Sequence, residues 1–307
     1  MNESSKKKHD TRVTRRSLLG GAAGLVAAAG AGWNVSGQAA EKEAYQAKPA
    51  ALKGRIKQSV CPWCFEPMPL ETLARNAAAM GIRSVELTPP EQWPMLKKYG
   101  LICAIASSHS FVDGWCHKEN YAMCTEKVKA VIDASAAGGC PSVITFSGFR
   151  KGVPEDVGLD NTVAGLKRVI GYAEKKKVTL CLEILNSRVN VEMKGHPDYM
   201  ADHVEWGVEA CRRIASPRMK ILFDIYHVQI MQGDLITRIR QFHEYIGHYH
   251  TAGVPGRNEI DATQEINYLP IFKEIAKTGY TGYVAHEFIP TRDPMQCLRE
   301  AVALCDV

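Results

Sequence analysis

Four side chains in the second half of this 307-residue chain are of types that can hold a cation and pass a proton: Glu183, Asp224, His250 and Glu287. Each stands at or near the end of a short, β-rich apolar run (178–184, 219–224, 246–251 and 283–288). An ionisable group at the end of a strand buried on both faces is costly unless it is paired or metal-bound. Three carboxylates converging beside an imidazole repel one another without a cation. Oxygen ligands with one nitrogen suit a divalent ion, Mg²⁺ or Mn²⁺ first and Zn²⁺ as an alternative. Glu86 ends an earlier run (84–87) and His109 follows another (101–107), which puts both among the candidate substrate-binding residues. His227 lies three residues after Asp224, a spacing that a helical turn places on the same side; it can donate a hydrogen bond to a substrate hydroxyl. Arg257, in a Gly/Pro-rich loop, can clamp a carboxylate or phosphate through two parallel hydrogen bonds. Cys61 and Cys64 enclose Pro62 and Trp63. A Cys-x-x-Cys before a helix can be a redox pair. Here a thioredoxin-like unit would be much smaller, and no second pair completes a four-thiolate zinc site. The expectation is a structural thiol pair, with Trp63 forming part of a pocket wall.

Residues at strand ends do shared chemistry only if the strands end together. From residue 56 a short β-rich run, a polar or glycine turn and a helical stretch recur, giving eight strands at 56–61, 84–87, 101–107, 142–146, 178–184, 219–224, 246–251 and 283–288. The intervening segments carry apolar residues at three- and four-residue spacing, as an amphipathic helix requires. Leu70, Leu73, Ala74 and Ala77 after Pro69 form one such face. Val163, Leu166, Ile170 and Ala173 predict another helix, running into Lys175, Lys176 and Lys177, where positive charge suits the helix dipole. The last helix begins at Pro294. Eight βα units over about 250 residues predict an α/β fold of the (β/α)₈ TIM-barrel type, with its site at the C-terminal ends of the strands. The rival, a doubly wound open sheet, carries a glycine-rich phosphate turn after its first strand. Here Pro62-Trp63-Cys64-Phe65-Glu66-Pro67 follows instead.

Hydrophobic residues make up 46% and charged residues 23%, so neither a disordered chain nor a fibrous one fits. The formal net charge is +5, but residues 1–40 hold six Lys and Arg against Glu3 and Asp10, leaving about +1 for the rest. A nucleic-acid binder carries its basic stripe on the folded domain, so no nucleic-acid partner is expected. Arg15-Arg16 precede an Ala/Gly-rich apolar run and a small-residue cleavage-like site at Gly37-Gln38-Ala39-Ala40. Residues 1–40 are therefore expected to be a twin-arginine export signal, 41–54 a linker and 55–307 the barrel. The apolar run is too short for a stable span, so the mature protein is expected to be periplasmic, without a membrane anchor. Barrels of this kind often self-associate, and a homo-oligomer is a possible state. The ten Cys sit largely in apolar strand-like runs, as small core residues do.

Taken together, Ser59–Phe65, Cys181–Asn186, Phe223–His227, Ile246–His250, Val254–Glu259, Glu265–Tyr268 and His286–Phe288 resemble the hydroxypyruvate isomerase family, within the xylose isomerase-like superfamily of sugar isomerases and epimerases. The resemblance implies a divalent metal held by Glu183, Asp224, His250 and Glu287, with Glu183 and Glu287 as the acid/base pair. It also implies that His227 and Arg257 contact substrate oxygens. The imidazole at 250 is more like the ketose epimerases. The expected activity is isomerisation of a small keto-acid or sugar, hydroxypyruvate to tartronate semialdehyde. Ketose 3-epimerisation and β-elimination from a 3-keto-sugar are alternatives, and so is a non-catalytic sugar-binding protein.

Overall fold

A computed structural model describes residues 51–307. The expected export signal and the first part of the linker lie outside the described residues. The eight strands are β1 (Lys57–Val60), β2 (Ser84–Val85), β3 (Ile105–Ala106), β4 (Ser142–Thr145), β5 (Thr179–Glu183), β6 (Met219–Asp224), β7 (Ile246–Thr251) and β8 (Tyr283–His286). All are parallel, in the order β2-β1-β8-β7-β6-β5-β4-β3. The two end strands meet through a parallel bridge at Ser84 and Ile102, where the Val85 amide donates to the Ile102 carbonyl at 3.0 Å and the Ile102 amide to the Arg83 carbonyl at 3.2 Å. The sheet thus curls back on itself, as a (β/α)₈ barrel does.

The helices are α1 (Leu70–Ala79), α2 (Trp93–Lys98), α3 (Tyr121–Gly138), α4 (Glu155–Leu166), α5 (Ile170–Lys176), α6 (Val204–Ile214), α7 (Ile225–Met231), α8 (Leu235–Phe242), α9 (Tyr268–Lys277) and α10 (Pro294–Cys305). The helix expected through Val163 and Ala173 is two helices, α4 and α5. The amides of Arg168 and Val169 bond the carbonyls three residues back, which tightens and ends α4. The apolar stripe survives the break, since Val163, Leu166, Ile170 and Ala173 are all buried. The strands are shorter than expected at β2 and β3, two residues each. Gly207 lets α6 lie close on the sheet: a Cβ there would stand 2.6 Å from Ile184 Cδ1, just past β5, and 3.0 Å from Ile221 Cγ2 in β6. All ten Cys are free and buried. Among the described residues no helix is long and apolar enough to cross a membrane.

Candidate metal and acid–base site

Parallel strands packed side by side bring their C-terminal ends to one rim. Glu183 closes β5, Asp224 closes β6, His250 is the penultimate residue of β7, and Glu287 directly follows β8. One ligand atom from each of these four lies within 4.8 Å of all the others. Local sequence fixes Asp224 further. It is the N-cap of α7, and its Oδ1 accepts hydrogen bonds from the amides of Tyr226 (2.8 Å) and His227 (3.2 Å). An Asp in this position satisfies otherwise orphaned helix donors and turns its Oδ2 toward the cluster, 3.5 Å from Arg257 Nη2 and 3.6 Å from His227 Nε2.

Arg257 reaches the same place from the loop after β7. Its amide bonds the Gly253 carbonyl and its carbonyl accepts from the Ile289 amide, while its backbone sits in the left-handed region at φ 59°. The guanidinium pairs with Glu287 Oε2, and its Nη1 donates to the Met193 carbonyl at 2.6 Å. It lies over the rings of Trp63 and Tyr226, with centroids 5.1 and 5.6 Å away. The other Glu287 oxygen accepts from Trp63 Nε1 at 3.1 Å.

Burial and neighbours push the acids apart. Burial raises Glu183, offset in part by its contact with His250. Burial pushes Asp224 up to about 7, with Arg257 opposing and Glu287 adding. Burial alone would raise Glu287 as well, but Arg257 and His250 hold it well below the usual carboxylate range. Burial works against charge on His250, yet Glu287 and Glu183 hold it well above an ordinary imidazole. Burial and the Arg257 charge keep His227 well below its ordinary value, hence neutral. Its Nδ1 accepts from the Asn186 amide at 3.0 Å, so its proton sits on Nε2. That atom is buried, has no hydrogen-bond partner and faces Asp224.

The four-residue cluster fits a divalent cation. His250 Nδ1 is buried between Glu183 Oε1 at 3.5 Å and Glu287 Oε2 at 2.8 Å without hydrogen-bonding geometry to either. A ring nitrogen aimed among three carboxylates matches the O/N donor set of Mg²⁺, Mn²⁺ or Zn²⁺.

Beside the cluster lies a cavity of about 330 Å³, whose wall includes Trp63, His109, Phe111, His196, Arg257 and both Glu183 and Glu287. Two larger hollows, about 490 and 530 Å³, lie elsewhere and touch none of the four cluster residues. His109 is in the wall, but both its nitrogens are engaged by the protein, Nε2 with Thr145 Oγ1 at 2.9 Å and Nδ1 with the Ser110 carbonyl at 3.0 Å. Glu86 is not in the wall, contrary to expectation. Leu87, at φ 56°, takes the place at the cavity, and Glu86 turns inside the barrel onto His248 and His250 at 2.9 Å each. Sequence reasoning missed His248, His196, Asn186 and Phe111. His248 alone had a signal: two residues before His250 on a strand, it must share that residue's face. Cys61 and Cys64 are buried, and burial with the Glu287 charge holds both thiols well above the ordinary range, the opposite of an activated redox pair.

Residues 74–305 match the family described as xylose isomerase-like TIM barrel. A Homo sapiens protein provisionally named hydroxypyruvate isomerase is 28% identical over 245 residues, 77% of this chain and 80% of that protein. A 2-oxo-tetronate isomerase of Pectobacterium atrosepticum is 25% identical over 239 residues, 74% of this chain and 88% of the relative. The structure of a 3-keto-D-glucoside 4-epimerase from E. coli superposes with a TM-score of 0.68 at 18% identity, covering 81% of this chain and 98% of the other. The match over most of the barrel, together with eight parallel strands and their converging acids, shows that the chain belongs to the xylose isomerase-like TIM barrel family.

Proposed function

We propose that the protein is a metal-assisted isomerase that moves a proton on the carbon next to a carbonyl of a small keto-acid or sugar, in the manner of a hydroxypyruvate isomerase. The observation that carries this reading is the convergence of Glu183, Asp224, His250 and Glu287 within 4.8 Å, with both glutamates in the wall of one cavity. The names of the human and Pectobacterium relatives support it. Glu183, Asp224, His250 and Glu287 would hold the cation; when bound, it supplies Lewis-acid stabilisation of the oxygen that becomes negative.

The protein groups divide the proton work. Environments that push two carboxyls apart mark the base and the acid. Glu287, kept ionised beside Arg257, takes the proton from the carbon; Glu183, raised by burial, returns one. For hydroxypyruvate, C3 loses a proton and C2 gains one while the hydroxyl proton passes from O3 to O2, and tartronate semialdehyde results. The Nε2–H of His227 is free to donate to a substrate oxygen. Arg257 orients Glu287, and Trp63 closes the wall over it. General acid–base transfer of this kind contributes roughly 10²–10⁴-fold.

A second reading, epimerisation or β-elimination of a keto-sugar, is favoured by the cavity. Seven heavy atoms, as in hydroxypyruvate, fill at most about 200 Å³ even at the volume a water molecule takes in the liquid, against about 330 Å³ here. The test is deuterium uptake from solvent into hydroxypyruvate, ketoses and 3-keto-sugars. Exchange into at least one of them is expected. Binding of a sugar without any exchange would make the protein a non-catalytic binder and overturn the proposal.

We further propose export by the twin-arginine route. Changing Arg15 and Arg16 to Lys should keep the full chain in the cytoplasm; unchanged periplasmic recovery would refute this.

A further inference from the structure

On the far side of His250 from the carboxylate cluster, Glu86, His248 and Cys61 meet, three residues that the proposed chemistry does not use directly. β2 and β7 are not neighbours in the sheet; β1 and β8 stand between them. Glu86, just past β2, nonetheless reaches across the interior, and its Oε1 lies 2.9 Å from Nε2 of both His248 and His250. Cys61 Sγ adds a weaker third contact to the same oxygen at 3.7 Å. All four side chains are buried, with Glu86 and His250 wholly so. An ionised carboxylate is an acceptor only, so two imidazole nitrogens converging on it both carry protons.

We infer that Glu86 and His248 are positioning residues that fix His250 with its proton on Nε2 and thereby turn its Nδ1 lone pair into the carboxylate cluster. Nδ1 is the ring atom that faces Glu183 and Glu287, at 3.5 and 2.8 Å. The ring could present Nε2 there only by giving up the Glu86 contact. His248 holds Glu86 from the second side: it lies two residues before His250 on the same face of β7, and its ring stands edge-on to that of His250, centroids 5.2 Å apart. Such outer partners of ligating histidines set ring orientation, and their loss typically weakens metal affinity 10–100-fold. The inference rests on the proposed cation site, and the experiment separates the two.

The probes are Co²⁺ for affinity and visible spectrum, and Zn²⁺ with ¹⁵N-histidine for nitrogen assignment by NMR, on the purified chain. In wild type, Zn²⁺ is expected on Nδ1 of ring 250 with the proton on Nε2. Glu86→Leu should weaken Co²⁺ binding 10–100-fold, alter its spectrum and lose the single ring assignment. Glu86→Gln, whose amide oxygen still accepts from Nε2, should fold as wild type, keep the Nδ1 assignment and lose less affinity. A purely structural role would lower the melting temperature while leaving the affinity and spectrum of the folded protein unchanged. If both variants bind Co²⁺ within about twofold of wild type, or if ring 250 carries its proton on Nδ1, the inference is overturned and the cation site stands. If wild type binds neither ion, both fall.

Discussion

Replacing Glu287 with Gln removes one charge and no volume, so it asks directly whether this carboxylate is the base. Its neighbours are Arg257 Nη2 and Trp63 Nε1 at 3.1 Å, both donors, and the Nδ1 face of His250 at 2.8 Å. The amide oxygen can serve one or two of these, while its NH₂ faces the rest. Breaking a buried pair by removing one partner costs about 3–5 kcal/mol when the other charge is left alone. Arg257 is not left alone: Asp224 Oδ2 stays 3.5 Å away and the Met193 carbonyl 2.6 Å away. The variant also relieves repulsion among three carboxylates. The cost therefore falls to about 1–3 kcal/mol, a drop of roughly 2–12 °C in melting temperature for a domain of this size. The chemical effect is larger. Loss of a positioned general base removes about 10²–10⁴-fold, so exchange of the substrate proton with D₂O should fall by at least two orders of magnitude in protein that is folded by circular dichroism. Exchange within tenfold of wild type would show that Glu287 does not take the proton.

Three other outcomes follow from the same geometry. His227→Asn keeps a polar side chain but withdraws the unpartnered Nε2–H, and kcat/KM should fall about 10–100-fold with little change in melting temperature; wild-type kinetics would refute the substrate contact. Chelation should abolish exchange, and readdition of Mn²⁺ or Mg²⁺ should restore it and raise stability by about 2.7 kcal/mol at one hundred times Kd; undiminished exchange in protein shown by elemental analysis to be metal-free would sink the cation site. The third concerns pH. Burial lowers His109, His196 and His286 to about 4, and His227 well below its ordinary value, all under the roughly 6.5 of an unfolded imidazole. The unfolded chain therefore takes up these protons first as pH falls. Their contribution is whole above about pH 6.5 and is lost progressively toward pH 4. Asp224, raised to about 7 by burial, works the other way by holding a proton in the folded state. With four histidines lowered against the raised carboxyls of Asp224 and Glu183, the unfolded chain binds more protons near pH 5, and the stability of the metal-free protein should fall as pH drops from about 6.5 toward 4. Urea melts between pH 7 and 4.5 measure the slope; a flat profile would contradict it.

What was legible in the sequence, and what was not, divides along the range of the interactions. The run 219–224 reads as a strand because a parallel strand, buried on both faces, is an apolar run with little alternation, and β6 occupies those same residues. A charged residue closing such a run stands out against it, which is why residue type and position alone single out Glu183, Asp224, His250 and Glu287. Near β2 the same rule points Glu86 the wrong way. The strand is only two residues long, and the left-handed turn at Leu87 decides which side chain faces the cavity; no local pattern announces a positive φ at leucine. The cavity wall was hidden for a related reason: Phe111, Met193 and His196 come from loops between strands and helices, where neither the period of 2 nor that of 3.6 applies. The contact between Glu86 and His250 spans 164 positions and two intervening strands, so it exists only once the barrel has curled. This separation bears on chemistry. The carboxylates that can pass a proton sit at strand ends, where types and spacing reveal them. The atom that sets the proton position on His250 is buried in the core, and by sequence alone Glu86 looks like one more substrate-binding candidate. Its different task is set by direction: Leu87, in its left-handed turn, takes the place at the cavity, and Glu86 is left to grip the far side of the imidazole.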